Sequence, residues 1–334
     1  MAANLTPQYL KAEEEYRRAA TPEEELRWLE VMLREIPKHK SSEKLQSDLK
    51  SKISRLKKES AAQRAAGKRG HSTRIPLQGA GTAVLLGGPN AGKSALLAAL
   101  THAHPEVAPY PFTTRQPAPG MMPYEDVFVQ LIDTPPITPD FFEPAMHGLI
   151  RGADLALLVV DLGSDDGIEQ CQDVLNRLGE TKTRLARTSH LDENDVGISY
   201  TATLLVLNKI DADGAAERLE LLHELVGDDL PAELPEHVVS AEQTTGLEEL
   251  RRAIYTALDV VRVYTKTPNQ KASDHDRPYT VRRGGTVHDV AELIHNDLAA
   301  KLKFARIWGS AVHDGTVVKA DHVVADGDIV ELHE

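Results

Sequence analysis

A single cysteine, Cys171, excludes any internal disulfide in this 334-residue chain. A chain without that staple is expected in a reducing compartment, and Cys171 itself reads as a small buried residue on a helix. No apolar run approaches the roughly 18 to 20 residues of a membrane span, so no membrane partner is expected. The opening MAANLTPQYLKAEEEYRR is too charged for a secretory signal, and the expected location is the cytoplasm. Positive charge is also short. Lys and Arg number 38 against 51 Asp and Glu, a formal net charge of −13. That balance excludes a global attraction to nucleic acid or an anionic membrane, so any contact with RNA has to come from a local patch. There is no internal repeat and no long low-complexity tract. No Ser-His-Asp or Cys-His arrangement can be argued from spacing. His102, His104 and His275 lack the ligand set of a structural zinc site and read as loop residues.

What the chain does have is length for more than one domain and an ordinary composition, 41% hydrophobic and 27% charged. Three sections follow one another. Residues 1–75 read as helices only. Thr21 caps one, with Pro22 in its first turn and Glu24 completing a capping box. Leu26, Leu29, Leu33 and Ile36 then share a face, and Pro37 ends the helix. A second helix starts at Ser41 or Ser42 and carries Leu45, Leu49, Ile53 and Leu56 on one stripe, so the pair forms a helical hairpin. From Lys50 to Arg74 nine Lys or Arg residues face one acid, Glu59. In an acidic chain that local reversal suits a phosphate backbone, although a solvated helix face has the same composition.

Residues 76–258 alternate apolar strands with helices: GTAVLLGG, DVFVQLID, ADLALLVVDL, YTATLLVLNK and EHVVSA. Near-continuous apolar strands separated by helices predict a mostly parallel sheet covered on both faces. Residues 259–334 change character. DVVRVYTK, PYTVRR, FARIWG and DIVELHE read as strands. TVHDVAELIHNDLAAKL reads as one helix capped by Thr286, with Asp289 three residues on. This is a small α+β domain.

The chemistry lies at the ends of the central strands. Gly87, Gly88, Pro89, Asn90, Ala91, Gly92, Lys93 and Ser94 spell the phosphate loop G-x-x-x-x-G-K-S between a strand and a helix. Gly87 and Gly92 permit turns that aim amides at phosphate. Lys93 brings a cation to the outer phosphates, Ser94 offers a hydroxyl to Mg2+, and the helix amino terminus adds partial positive charge. Asp133, closing VFVQLID, is placed to hold the same Mg2+, through water. Farther on, NKID closes another strand. Asp211 can accept two hydrogen bonds from the guanine edge, which adenine cannot supply. Lys209 can pack along the base, and Asn208 can tie this loop to the phosphate loop. Ser240 and Ala241, after EHVV, offer a backbone amide to guanine O6. The order of these pieces on successive strands reads as a guanine-nucleotide site.

The motifs resemble the Obg and DRG (developmentally regulated GTP-binding) group of GTPases. PNAGKS is the loop form that group favours, and Tyr110–Thr114, YPFTT, is similar to its switch I signature. VRVYTK, RGGTVHDVAELIH, WGSAV and DHVVADGDIVEL resemble a TGS domain, and the amino-terminal helices resemble those of DRG-type proteins. The resemblance implies an α/β fold. A P-loop GTPase domain with a mostly parallel sheet would follow a helical hairpin and precede a β-grasp-like TGS domain. It also implies GTP hydrolysis with Mg2+ held by Ser94, Thr114 and Asp133, and catalytic parts for Lys93 and Thr114. Asn90 would be a K+ ligand, with a role in shaping the loop as the alternative.

Two departures stand out. Only 71 residues separate Pro136 from Asn208, too few for the extra domain of DRG proteins, and the polar stretch TKTRLARTSHLDENDVG reads as its remnant or substitute. Pro136 itself stands where the group has the glycine of its switch II. Proline has no N–H and a fixed φ. One hydrogen bond to a charged group is worth about 1.5–3 kcal/mol, so the preference for GTP over GDP is expected to fall on the order of tenfold or more. Ile137 follows where many GTPases carry the glutamine that orients water. The leading expectation is a slow GTPase acting on the ribosome, contacting rRNA or tRNA through the basic 50–74 stretch and the TGS domain, with a possible protein partner. The alternatives are a non-switching guanine-nucleotide-bound adaptor and a nucleotide sensor in stress signalling.

Overall fold

The computed structural model describes residues 5–19, 21–37, 42–65, 75, 78–101, 117–192, 195, 197–231, 233–268, 277–309 and 312–334. Three helices come first: α1 (Pro7–Arg18), α2 (Pro22–Glu35) and α3 (Glu43–Ala65). Thr6 and Thr21 cap the first two, their hydroxyls accepting from the amides of Tyr9 and Glu24 at 3.1 Å, each with proline in the first turn. The amide of Ile36 closes α2 on the carbonyl of Met32, and Pro37 prevents continuation. The expected hairpin is therefore a three-helix unit. Tyr9, Ala12 and Tyr16 of α1 add a third apolar stripe to the one formed by Leu29, Met32, Ile36, Leu49, Ile53 and Leu56.

The central sheet is built from β1 (Thr82–Leu86), β2 (Ala118–Tyr124), β3 (Val127–Asp133), β4 (Leu155–Asp161), β5 (Thr183–Ala186), β6 (His190–Leu191), β7 (Ser199–Asn208) and β8 (Glu236–Val238). Its order is β2-β3-β1-β4-β7-β5, with β6 and β8 also paired to β7. Only β2 and β6 run antiparallel to their partners. The interleaved helices are α4 (Lys93–Thr101), α5 (Pro144–Gly152), α6 (Asp166–Gly179), α7 (Ala215–Val226) and α8 (Leu247–Ala257). Strand alternation sorts the two cores. Ala83, Leu85, Leu157 and Val206 face Leu96 of α4 and Leu250 of α8. Val84, Leu86, Leu158 and Leu205 face Met146, Val174 and Leu222 of α5, α6 and α7. The chain leaves β1 for β3 on one side and β4 on the other, so the order reverses at the end of β1, where α/β sheets bind ligands.

The polar stretch after α6 folds into β5 and β6, which extend the amino-terminal half of β7. It also docks the helices. Glu13 accepts from the amide of Leu191 at 2.8 Å, Arg17 Nε donates to Ser199 Oγ at 3.0 Å, and Leu191 joins the helical core.

The carboxy-terminal domain has β9 (Val260–Thr265), β10 (Tyr279–Arg282), α9 (Val287–Ile294), α10 (Asn296–Lys301), β11 (Phe304–Gly309), β12 (Val312–Val318) and β13 (Asp328–His333), in sheet order β10-β9-β13-β11-β12. β9 and β13 are parallel and the other pairs antiparallel. The Thr286–Asp289 capping box starts α9 as expected. The single helix expected beyond it breaks at His295 (φ −165°, ψ 135°), whose Nδ1 accepts from the amide of Asp297 and caps α10.

The three parts meet at Asp154. Its carboxylate accepts from the Thr82 amide at 2.8 Å, from Arg18 of α1 and from Arg282 of β10 at 2.8 Å. Glu14 bridges the same two arginines at 2.8 and 2.6 Å.

Candidate functional site

The phosphate loop leaves the buried β1 and enters α4, with Lys93 as the first helical residue. Lys93 is buried and its Nζ donates to the carbonyls of Gly87 and Gly88 at 2.9 and 2.8 Å, holding the loop in an open ring. Gly92 has a φ of 90°, and a Cβ there would lie 2.3 Å from Asn208 Nδ2. Glycine at this position lets Asn208 reach across. Pro89 is half-buried, Ala91 buried, and Asn90 exposed in the left-handed region with a φ of 57°.

Ser94 and Asp133 come together from α4 and β3, the Ser94 hydroxyl donating to Asp133 Oδ2 at 2.5 Å. Asp133 Oδ1 is buried and has no hydrogen-bond partner. A hydroxyl and a carboxylate with an oxygen to spare fit a hard dication such as Mg2+. No cluster of three or more His, Cys, Asp or Glu among the described residues offers another metal site. Thr114 with Tyr110–Thr113, and His102, His104 and His275, lie outside the described residues.

Asn208, at the end of β7, does what its position implies. Its Nδ2 donates to the Ala91 carbonyl at 3.0 Å and its Oδ1 accepts from the Ala241 amide at 3.2 Å. One side chain thus braces the phosphate loop against the loop after β8. Lys209 takes a left-handed φ of 66° and pairs through Nζ with Asp161 at 2.6 Å. Asp211 is exposed just beyond the strand end. Ser240 is buried, and its hydroxyl accepts from the Gln243 amide at 2.9 Å. The expected O6 donor differs in detail. The Ala241 amide is engaged by Asn208 and that of Ser240 by the Thr245 carbonyl, so a contact with O6 has to share or displace one of these bonds.

Two residues that matter here escaped the sequence reading. Asp161 orients Lys209 and also accepts from the Gly163 amide at 2.7 Å. Its signal was available, because it ends β4 in register with Asn208. Gln170 of α6 packs against Gly88, whose Cβ would lie 2.5 Å from Gln170 Oε1. No spacing rule announces that contact.

Switch II is anchored. The Thr134 hydroxyl donates to the Leu85 carbonyl. The amide of Ile137 donates to the Gly87 carbonyl at 3.2 Å, and its side chain is 1% exposed in the core. The side chain at the position where many GTPases carry a water-orienting glutamine is therefore packed into the core. Pro136 lies between these anchors.

A family profile described as 50S ribosome-binding GTPase matches residues 82–209, and a TGS-domain profile matches residues 261–334. An uncharacterised GTP-binding protein of Methanocaldococcus jannaschii is 31% identical over 370 residues, covering 93% of this chain and 92% of its own. GTP-binding protein 1 of Schizosaccharomyces pombe is 28% identical, covering 92% and 98%. Developmentally-regulated G-protein 1 of Arabidopsis thaliana is 26% identical, covering 92% and 90%. Among solved structures, the YchF GTPase of Schizosaccharomyces pombe overlays with a TM-score of 0.52 at 14% identity, covering 79% of this chain and all of that one, which supports the fold. With the phosphate loop, the Asn208 brace and a separate TGS sheet in one chain, this is a GTP-binding protein of the developmentally regulated GTP-binding (DRG) family.

Proposed function

We propose that the chain is a slow, cytoplasmic GTP hydrolase that works on the ribosome. Its basic 50–74 stretch and TGS domain are the contacts to rRNA or tRNA. The hydrolase reading is carried by Lys93, Ser94 and Asp133 meeting at the end of β1 and β3. The backbone N–H groups of the 87–94 loop, Pro89 excepted, would cradle the phosphates, Lys93 would neutralise the outer ones, and Ser94, Asp133 and Thr114 would hold an Mg2+ that supplies positive charge at the transferred phosphoryl group. Asp211, Lys209, Ser240 and Ala241 frame the base. Hydrolysis is slow because Ile137 is turned into the core. A K+ ion beside the exposed Asn90 would add positive charge to the transition state. Equal turnover in sodium and potassium buffers would overturn that part.

The ribosomal part rests on the family profile's description and on the TGS domain. It is tested by co-sedimentation with ribosomes in potassium buffer, with a non-hydrolysable GTP analogue or with GDP. Pelleting with the analogue alone supports a working switch. Equal pelleting supports the second reading, a ribosome-bound adaptor with a muted switch, which the Ile137–Gly87 bond favours. Pelleting in neither state removes the ribosome.

A further inference from the structure

Helices α6 and α7 leave an open groove of about 440 Å³ between their outer surfaces. Its floor is Ile168 and Val226, and its wall is Leu221 and Leu225, one turn apart on α7. Leu221 is 44% exposed, and Leu225, at 64%, is the most exposed large apolar side chain among the described residues. Neither belongs to a core, and each keeps apolar area in water at a cost of about 25 cal/mol per Å².

Two carboxylates, Asp165 and Glu169, line the groove on the α6 side, and Asp166, Glu217, Glu220 and Glu224 are exposed elsewhere on the same two helices. The cation in the groove, Arg218, is already committed. It pairs with Asp165 at 2.7 Å and donates to the carbonyls of Leu162 and Asp213 at 3.1 and 2.7 Å. An acidic rim repels RNA phosphates and anionic lipid. A second copy packed on the same face would set these carboxylates against their own kind. We propose that the groove docks an amphipathic helix of a partner protein, with aliphatic side chains at i, i+3 and i+4 and Lys or Arg along both flanks. Two leucines a turn apart offer ridges for such a stripe, and the rim supplies charge complementarity.

The test is fluorescence anisotropy on the full chain at physiological salt. One labelled peptide is a helix former with a leucine stripe flanked by lysines, and the control has glutamates in place of the lysines. The lysine peptide is expected to bind saturably and the glutamate peptide not to bind. Leu225→Glu is expected to weaken binding by about tenfold, and the double change Asp165→Asn with Glu169→Gln to weaken it several-fold. Leu225→Glu adds negative charge, so attraction by charge alone predicts equal or tighter binding. That result overturns the proposal, as does equal binding of both peptides or no saturable binding of the lysine peptide.

Discussion

At the scale of single residues, the site depends on a few side chains with no redundancy. Asp211 is an exposed carboxylate just beyond the end of β7, and the proposed function places it against the base. Asp211→Ala removes up to two charge-assisted bonds of about 1.5–3 kcal/mol each, so GDP affinity should fall by at least about tenfold, with selectivity over ADP reduced in the same titration. Gly92→Ala should be more damaging, since its Cβ would collide with Asn208 Nδ2 and its φ of 90° strains any side chain. Loss of both nucleotide binding and thermal stability is expected. Cys171 behaves in the opposite way. Burial pushes its thiol up to about 12, so in the native state near pH 8 it should resist a thiol reagent and react only on unfolding.

At the scale of elements, the strands that carry the chemistry were legible because burial on both faces leaves long apolar runs. β1, β3, β4 and β7 end at Gly87, Asp133, Asp161 and Asn208 or directly before them. The elements that escaped notice lack that pattern for physical reasons. β2 contains Pro119, Gly120 and Pro123, tolerable because it is an edge strand paired to β3 alone. β12, interrupted by Asp314 and Gly315, is likewise an edge. β5 and β6 are too short and polar for a period to show, and their register is set by β7 and the docked α1. The helix break at His295 was hidden because apolar spacing continues through it while the side chain caps the next turn. Lys93, Ser94, Asp133 and Asn208 sat in motifs, and the contacts among their loops follow from those positions. The Ile137–Gly87 bond was not readable, because a backbone contact between two loops has no sequence period.

At the scale of the whole molecule, three parts are held by shared carboxylates. Asp154, with its side chain 8% exposed, serves Arg18, Arg282 and the Thr82 amide together. Asp154→Ala leaves the Thr82 amide without its acceptor and the two arginines with Glu14 alone, and should cost about 1–3 kcal/mol, read as a lowered denaturation midpoint. A second clamp joins the β2–β3 turn to the TGS sheet. Arg262 pairs with Glu125, Asp126 and Asp326, and the Tyr264 hydroxyl donates to Asp126. Hydrogen bonds from Arg262 hold the Asp326 carboxyl below its usual range. A depressed carboxyl stabilises above its unfolded value, about 3.9, and that contribution is lost as pH falls through the folded value. The stability difference between wild type and Arg262→Ala should therefore be constant near neutrality and shrink below about pH 4, and high salt should shrink it too.

On the proposed reading, the guanine-nucleotide site is coupled to a switch II that senses the γ-phosphate weakly, because Pro136 has no amide N–H to offer and Ile137 gives its own to Gly87. The most direct measurement is the ratio of GDP to non-hydrolysable GTP-analogue dissociation constants, with Mg2+ and K+ present, for wild type and for Pro136→Gly. Similar affinities are expected in wild type, with a shift toward the GTP analogue on the order of tenfold in the glycine variant. A strong wild-type preference for the GTP analogue, left unchanged by Pro136→Gly, would contradict that reading.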